Sequence, residues 1–309
     1  ETSALVLDPA SEADVSFAGR PILLDDARSF DFSQVQLAFL SDADPELTAQ
    51  AERAADAGVI VFDASGQAWR DSAIPVVVPQ VNAKALSHYR ERYIVASPDR
   101  FNVALAPIVA ALHAAFGLEH VAMTGLIAAS DGGRPALEDL ARETTALLNA
   151  RFYERHYYPK QIAFNVIGQE ADAGLDGYTE RERRIGDELQ TLLGLPTLPV
   201  QATLVQVPVF FGHTAAVELR CARKLDLDTV IETLSGLPGF SVEGSRLADD
   251  AITPVTDAAL NPDVRIGRIR LARHDAQGLA LWLAADNIRR CGAFNALANA
   301  EILIRDHLD

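Results

Sequence analysis

Tyr93-Ile94-Val95-Ala96-Ser97-Pro98-Asp99-Arg100-Phe101-Asn102 is the stretch on which the fold turns. Tyr93 to Ala96 is a short, continuous apolar run, the pattern of a strand buried on both faces rather than one that alternates in and out of water. From Phe101 the chain is again apolar, but for far longer. It reads as a helix over 101–116, with Gly117 marking its end. Ser97 to Asn102 is therefore the junction of a buried strand and a long buried helix.

Working upstream, the same alternation repeats. Val35-Gln36-Leu37-Ala38-Phe39-Leu40, Gly58-Val59-Ile60-Val61-Phe62-Asp63 and Val76-Val77-Val78 are further strand candidates. An Ala-rich helix over 46–57 follows Asp44-Pro45, with the proline near its first turn. Apolar strands separated by helices imply a parallel, doubly wound sheet covered on both faces.

Downstream the pattern changes. A strand over 120–129 and an amphipathic helix over 134–150 are followed by a charged helix over 178–193. Thr179 and Glu182 are spaced as a capping box at its start. Strands over 202–211 and 214–223, a helix over 226–237, and two alternating strands over 264–273 and 278–285 follow. This half reads as α+β on a mostly antiparallel sheet. The last segment, 289–307, reads as one amphipathic helix. The expected fold class is α/β: a Rossmann-type nucleotide-binding domain over 1–99 rejoined by the C-terminal helix over 289–309, and an α+β domain over 100–288.

Composition bounds the function. The 309 residues hold 43 acidic against 27 basic side chains, a net charge of −16. Such a surface repels phosphate backbones and anionic lipid, so neither nucleic acid nor membrane is an expected partner. Apolar runs fall short of a membrane-spanning length. The two cysteines, Cys221 and Cys291, are too few for a disulfide framework, and a reducing cytoplasm is the expected compartment. Cys291 stands at a helix start, which favours a thiolate, but both are read as structural thiols. Without C-x-x-C or H-E-x-x-H spacing, no metal is expected. No G-x-G-x-x-G is present, although such a turn normally meets the pyrophosphate in a doubly wound nucleotide domain. With Glu1 rather than Met at the start, an opening βα unit is expected to be missing from the sequence; the alternative is that cofactor binding has been abandoned. Asp131-Gly132-Gly133 is read as a plain loop between strand and helix.

Several separated blocks carry a family resemblance. Phe62-Asp63-Ala64-Ser65 with Trp69-Arg70 is similar to a D-N-S-S…F-R stretch, and Val76 to Asn82 to V-V-P-E-V-N. Gln161 to Ile167 resembles Q-I-A-F-N-V-I, and Val207 to His213 resembles V-P-V-F-R-G-H. Ala280 to Arg289 resembles L-W-V-V-A-D-N-L-R. These are blocks of the aspartate-semialdehyde dehydrogenases, and over nearly the whole chain the sequence resembles that family, in particular the group called USG-1-like proteins.

The resemblance implies NADP as cofactor, a homodimer built on the second domain, and reduction of aspartyl phosphate in amino-acid biosynthesis. It also implies a cysteine nucleophile, a histidine base, a supporting glutamine, and an arginine and a glutamate holding the substrate. The matching positions here are Arg100 for the nucleophile, Leu126 for the glutamine, Gln206 for the arginine and Arg181 for the glutamate. Arg184 replaces a lysine. His213 keeps the base and Arg70 a phosphate-type arginine, while Asp286 and Asn287 match the contact with the nicotinamide end. A guanidinium stays protonated and has no lone pair for attack, so the chain is expected to be inactive as a semialdehyde dehydrogenase. Its expected role is then binding, scaffolding or regulation. The alternatives are the family's own NADP-dependent activity, or altered acid/base chemistry through His213.

Two readings of the arginines stay open. Arg100, Arg70, Arg181 and Arg184 form a site for a small anion or nucleotide, or Arg100 closes the vacated pocket onto Asp99 or another carboxylate. The Arg181–Arg184 segment is also readable as a solvated helix face.

Overall fold

The computed structural model describes residues 2–9, 15–244 and 247–308; Glu1 lies outside them. The chain divides into two compact units. The first comprises Glu1–Pro79, Ala83–Pro98 and Ala296–Asp309, and the second Gln80–Asn82 with Asp99–Asn295.

In the first unit, β1 (Ala4–Val6) pairs in parallel with β4 (Leu24–Asp26), and β2 (Val15–Phe17) forms a hairpin with β3 (Arg20–Ile22). The three parallel strands read from the sequence are β5 (Leu37–Leu40), β6 (Ile60–Asp63) and β7 (Ile94–Ala96). Val61 stands beside Ala38 on one side and Ile94 on the other. The crossover helix α1 (Pro45–Asp56) starts where Asp44 accepts the Glu46 amide at 2.7 Å, with Pro45 in its first turn. Ile60, Phe62, Val77, Leu86, Tyr89 and Val95 pack with Ala296, Ala300 and Leu303 into a buried core. Val76 to Val78 is not a strand. Only Val76 bridges Ala96, because Pro79 opens the short helix α2 (Pro79–Asn82) at once and leaves no length for a ladder.

The second unit is organised on a six-stranded sheet. Its strands are β8 (Leu118–Ile127), β9 (Val200–Gln206), β10 (His213–Cys221), β11 (Phe240–Val242), β12 (Val264–Ala272) and β13 (Asp275–Ala285). The order is β11-β12-β13-β10-β8-β9. The β12/β13, β13/β10 and β10/β8 pairs are antiparallel, and the two outer pairs are parallel. The strand expected over 202–211 stops at Gln206. Beyond it Pro208 has no N–H to give a ladder, and the Val209 amide turns back to Val207 at 2.8 Å.

Helices α3 (Arg100–Phe116), α4 (Gly133–Leu148), α5 (Glu180–Leu193) and α6 (Leu227–Ser235) complete the unit. The capping box at α5 is formed in full: Thr179 accepts the Glu182 amide at 3.2 Å, and Glu182 accepts that of Thr179 at 2.9 Å. The second oxygen of Glu182 accepts the Leu204 amide at 2.8 Å and so ties α5 to β9. The segment expected as one helix over 289–307 begins instead with a π-helical turn, Arg289–Ala293, before α7 (Phe294–His307). Asp286 sets this start by accepting the Ile288 and Arg289 amides at 2.9 and 2.7 Å.

Gly125 on β8 marks where the sheet meets α3. A Cβ there would stand 2.8 Å from the Phe101 ring and 2.9 Å from Leu204. Both neighbours are fully buried. Gly125→Ala is therefore expected to lower unfolding stability by about 1–3 kcal/mol through overpacking. Urea denaturation checks this, and an unchanged midpoint contradicts the packing argument.

Candidate functional site: a buried arginine–carboxylate network

Asp99 caps α3 by accepting the Phe101 amide at 2.9 Å with one oxygen. Its other oxygen accepts from Arg181 Nε and from Arg184 Nη2, each at 2.7 Å. Arg181 continues to Asp131 Oδ2 at 2.5 Å. Asp131 Oδ1 in turn lies 2.7 Å from Arg100 Nη1 and 3.0 Å from His213 Nε2. Behind Asp99, Glu188 Oε2 accepts the Asp99 amide at 2.7 Å and Asn102 Nδ2 at 3.0 Å.

Helical spacing explains the α5 contribution. Arg181, Arg184 and Glu188 are separated by three and four residues and so share one face. That face is not solvated: the side chains of Arg181 and Arg184 are only 19% and 15% exposed. Arg100 and His213 arrive from the start of α3 and the start of β10. Asp131 comes from the one-turn 3₁₀ segment Ala129–Gly132 that follows β8.

The hydrogen bonds fix the imidazole. His213 Nδ1 accepts the Ala128 amide at 3.2 Å, so the ring proton sits on Nε2 and is donated to Asp131. Phe101 stacks on the ring with centroids 4.7 Å apart. Burial lowers the His213 pKa, and the Asp131 contact offsets only part of that. The imidazole is neutral, with both nitrogens engaged.

The carboxylates divide into two kinds. Burial works against the charge on Asp99, but Arg181 and Arg184 outweigh it and hold the group at about 2. Burial likewise opposes Asp131, and Arg181, His213 and Arg100 still hold it well below the ordinary range. Glu188 is the opposite case. Burial raises it to about 7, and the attraction of Arg184 does not compensate.

The remaining sequence candidates fall elsewhere. Gln206 ends β9, where its backbone exchanges bonds with Ile167 at 2.9 and 3.0 Å, and its buried Oε1 has no hydrogen-bond partner among the described residues. Leu126 lies on β8 between Val205 and Thr214. Arg70 belongs to the first unit and lines a cavity of about 550 Å³ together with Asp63, Gln67 and Arg92. Cys221 and Cys291 are free and buried. Burial pushes the Cys291 thiol up to about 12, which removes the thiolate its helix start would favour.

Asp286 and Asn287 were the candidates for the nicotinamide contact. Asp286 spends one oxygen on the helix start and the other on the Leu260 amide at 2.8 Å. Asn287 is wholly buried; its carboxamide accepts the Gly212 amide at 3.0 Å and pairs with the Ser130 hydroxyl. Among the described residues no His, Cys, Asp or Glu group is arranged to hold a metal ion, and no helix is long and apolar enough to cross a membrane.

Sequence reading missed Asp131, Glu188 and Asn102. The Arg181/Arg184/Glu188 spacing carried a signal for Glu188, since it draws one charged face. Asp131 carried none, because its role depends on the end of β8 lying beside the start of β10.

The pKa shifts define a pH dependence. Asp99 is depressed in the folded state, so its stabilisation is present above about pH 4 and is lost as pH falls towards 2. Glu188 is raised, so its neutral form stabilises at low pH and that stabilisation is lost as pH rises from about 4.5 to about 7. Glu188→Gln is expected to gain stability relative to the parent chain across that upper window, measured by denaturation at several pH values. Parallel pH profiles for the two proteins would refute the assignment.

Comparison with known proteins agrees with this architecture. Residues 11–89 match the semialdehyde dehydrogenase NAD binding domain, and residues 106–290 match the semialdehyde dehydrogenase dimerisation domain. A USG-1 protein homolog of Pseudomonas aeruginosa is 36% identical over 294 residues, spanning 95% of this chain and 86% of that protein. An aspartate-semialdehyde dehydrogenase of Shewanella violacea is 33% identical over 293 residues, with the same shares of 95% and 86%. The crystal structure of aspartate semialdehyde dehydrogenase II complexed with ASA from Vibrio cholerae superposes with a TM-score of 0.93 at 33% identity, covering 99% of this chain and 90% of that one. With its two domains matched in order and relatives of this identity over most of its length, the chain belongs to the semialdehyde dehydrogenase family.

Proposed function

We propose that this protein is a homologue of the aspartate-semialdehyde dehydrogenases that has lost their thioester chemistry and serves a binding, scaffolding or regulatory role. One observation carries the reading. The residue that the resemblance sets at the nucleophile position, Arg100, is a guanidinium 2.7 Å from Asp131, and the histidine at the base position donates to that same carboxylate. A covalent route without its nucleophile loses several orders of magnitude in rate. Both ring nitrogens of His213 are engaged within the chain, Nδ1 by the Ala128 amide and Nε2 by Asp131, which favours a structural role over an acid/base one.

The match of the first unit to an NAD binding domain supports a nucleotide there, with NADP as the cofactor the resemblance implies, and no catalytic step is assigned to it. The dimerisation-domain match supports a homodimer. Two free, buried cysteines agree with a reducing compartment, the cytoplasm.

The test is phosphate-dependent reduction of NADP with aspartate semialdehyde. No turnover is expected from the chain, nor from Arg100→Cys, because Leu126, Gln206 and Arg181 also depart from the family pattern. Turnover by the unmodified protein would overturn the reading. Calorimetric titration with NADP decides separately whether the nucleotide binds.

A further inference from the structure

Asp131 differs from every other carboxylate of the network in what it does locally. Asp99 caps a helix, and Glu188 accepts a backbone amide. The hydrogen bonds of the Asp131 carboxylate run instead to Arg100, Arg181 and His213, groups from three separate elements. Both oxygens are held, one of them by Arg181 at 2.5 Å and the other by Arg100 and His213 at 2.7 and 3.0 Å. This is the donor set of a bound carboxylate. Among the described residues Arg100 forms no other ion pair.

The carboxylate is carried on a short turn and pairs with the most exposed arginine of the network. Its side chain is 14% exposed, and that of Arg100 is 26% exposed. Gly132 and Gly133 follow directly, the latter at φ +66°, where a side chain would be strained.

We propose that this cluster is an anion-binding site whose resident ligand is the chain's own Asp131 side chain, and that a small external oxyanion, carboxylate or phosphate, enters by displacing it. Charge supports the exchange: among the described residues, removal of Asp131 leaves Arg181 paired with Asp99 alone and Arg100 without an ion pair. The enclosed geometry selects a small ligand, because the donors surround a single carboxyl group. A tethered group competes at an effective concentration of about millimolar or more. The unmodified protein therefore binds such anions weakly. This inference goes beyond the loss of activity and holds whether or not the chain turns over NADP.

The experiment is chemical rescue of Asp131→Ala in the full chain, read as melting temperature in formate, acetate or phosphate against chloride at equal ionic strength. The variant is expected to melt below the parent. Oxyanion should raise its melting temperature saturably, by about 2–4 °C or more, while the parent needs at least about tenfold more anion for an equal shift. Rescue by formate and acetate alone assigns the site to carboxylates, and rescue by phosphate as well assigns it to oxyanions generally. Adding Arg100→Ala to the variant should abolish the rescue. Identical melting in oxyanion and chloride, or equal response of parent and variant, overturns the proposal. If Asp131→Ala does not fold, Asp131→Asn preserves the shape without the charge. An oxyanion response of Asp131→Asn no larger than the parent's overturns the proposal equally.

Discussion

The burial of Arg181 is the constraint on which the site depends. A guanidinium cannot shed its charge, and an unpaired buried cation is too costly to persist. Asp99 and Asp131 meet it from two directions, at 2.7 and 2.5 Å. Satisfying this one side chain thus joins the start of α3, the face of α5 and the turn after β8. Arg100, Arg184 and His213 attach to the same two carboxylates. Removing either acid leaves a buried charge uncompensated, a loss of about 3–5 kcal/mol, so these residues act as a unit and not as a sum of pairs.

The same satisfaction supports the proposed loss of the family's thioester chemistry. Nucleophilic catalysis needs a group that can release a proton and offer a lone pair, beside a base with a nitrogen to spare. Here the guanidinium offers no lone pair, and the imidazole has both nitrogens in hydrogen bonds. Perturbed ionisation does occur, as it does in active sites, but one instance of it lies where access is least. Glu188, raised to about 7, is 2% exposed and lies behind Asp99. Its shift is explained by burial and needs no reaction.

Much of the fold was legible because it is written in local patterns. The apolar runs at Ile60–Asp63 and Ile94–Ala96, the Thr179 cap with Glu182, and the stop at Gly117 each fix structure within a few residues. Val76 to Val78 misled because apolarity reports burial, and those valines are buried without pairing in a ladder. The site divides along the same line. Arg100, Arg181, Arg184 and His213 were readable as positions, but the reading left open what they face. Asp131 decides that, and it looked like a loop residue beside two glycines. A contact between the end of β8 and the start of β10 is set by sheet register, which local sequence does not encode.

Self-satisfaction also changes what binding at this site requires. A catalytic pocket commonly keeps donors oriented toward a place the substrate will fill, and carries the cost of leaving them unmatched until then. In this chain the donors of Arg100, Arg181 and His213 are matched already by Asp131. Any external anion must therefore offer more than attraction to positive charge: it must replace a tethered carboxylate at several points at once. Charge alone does not distinguish candidates, because every anion gains it. Shape does, since a planar carboxylate or compact phosphate reproduces the forked contacts to arginine, whereas chloride gives one point of contact. The network around Asp131 thus sets the geometry any ligand there must copy.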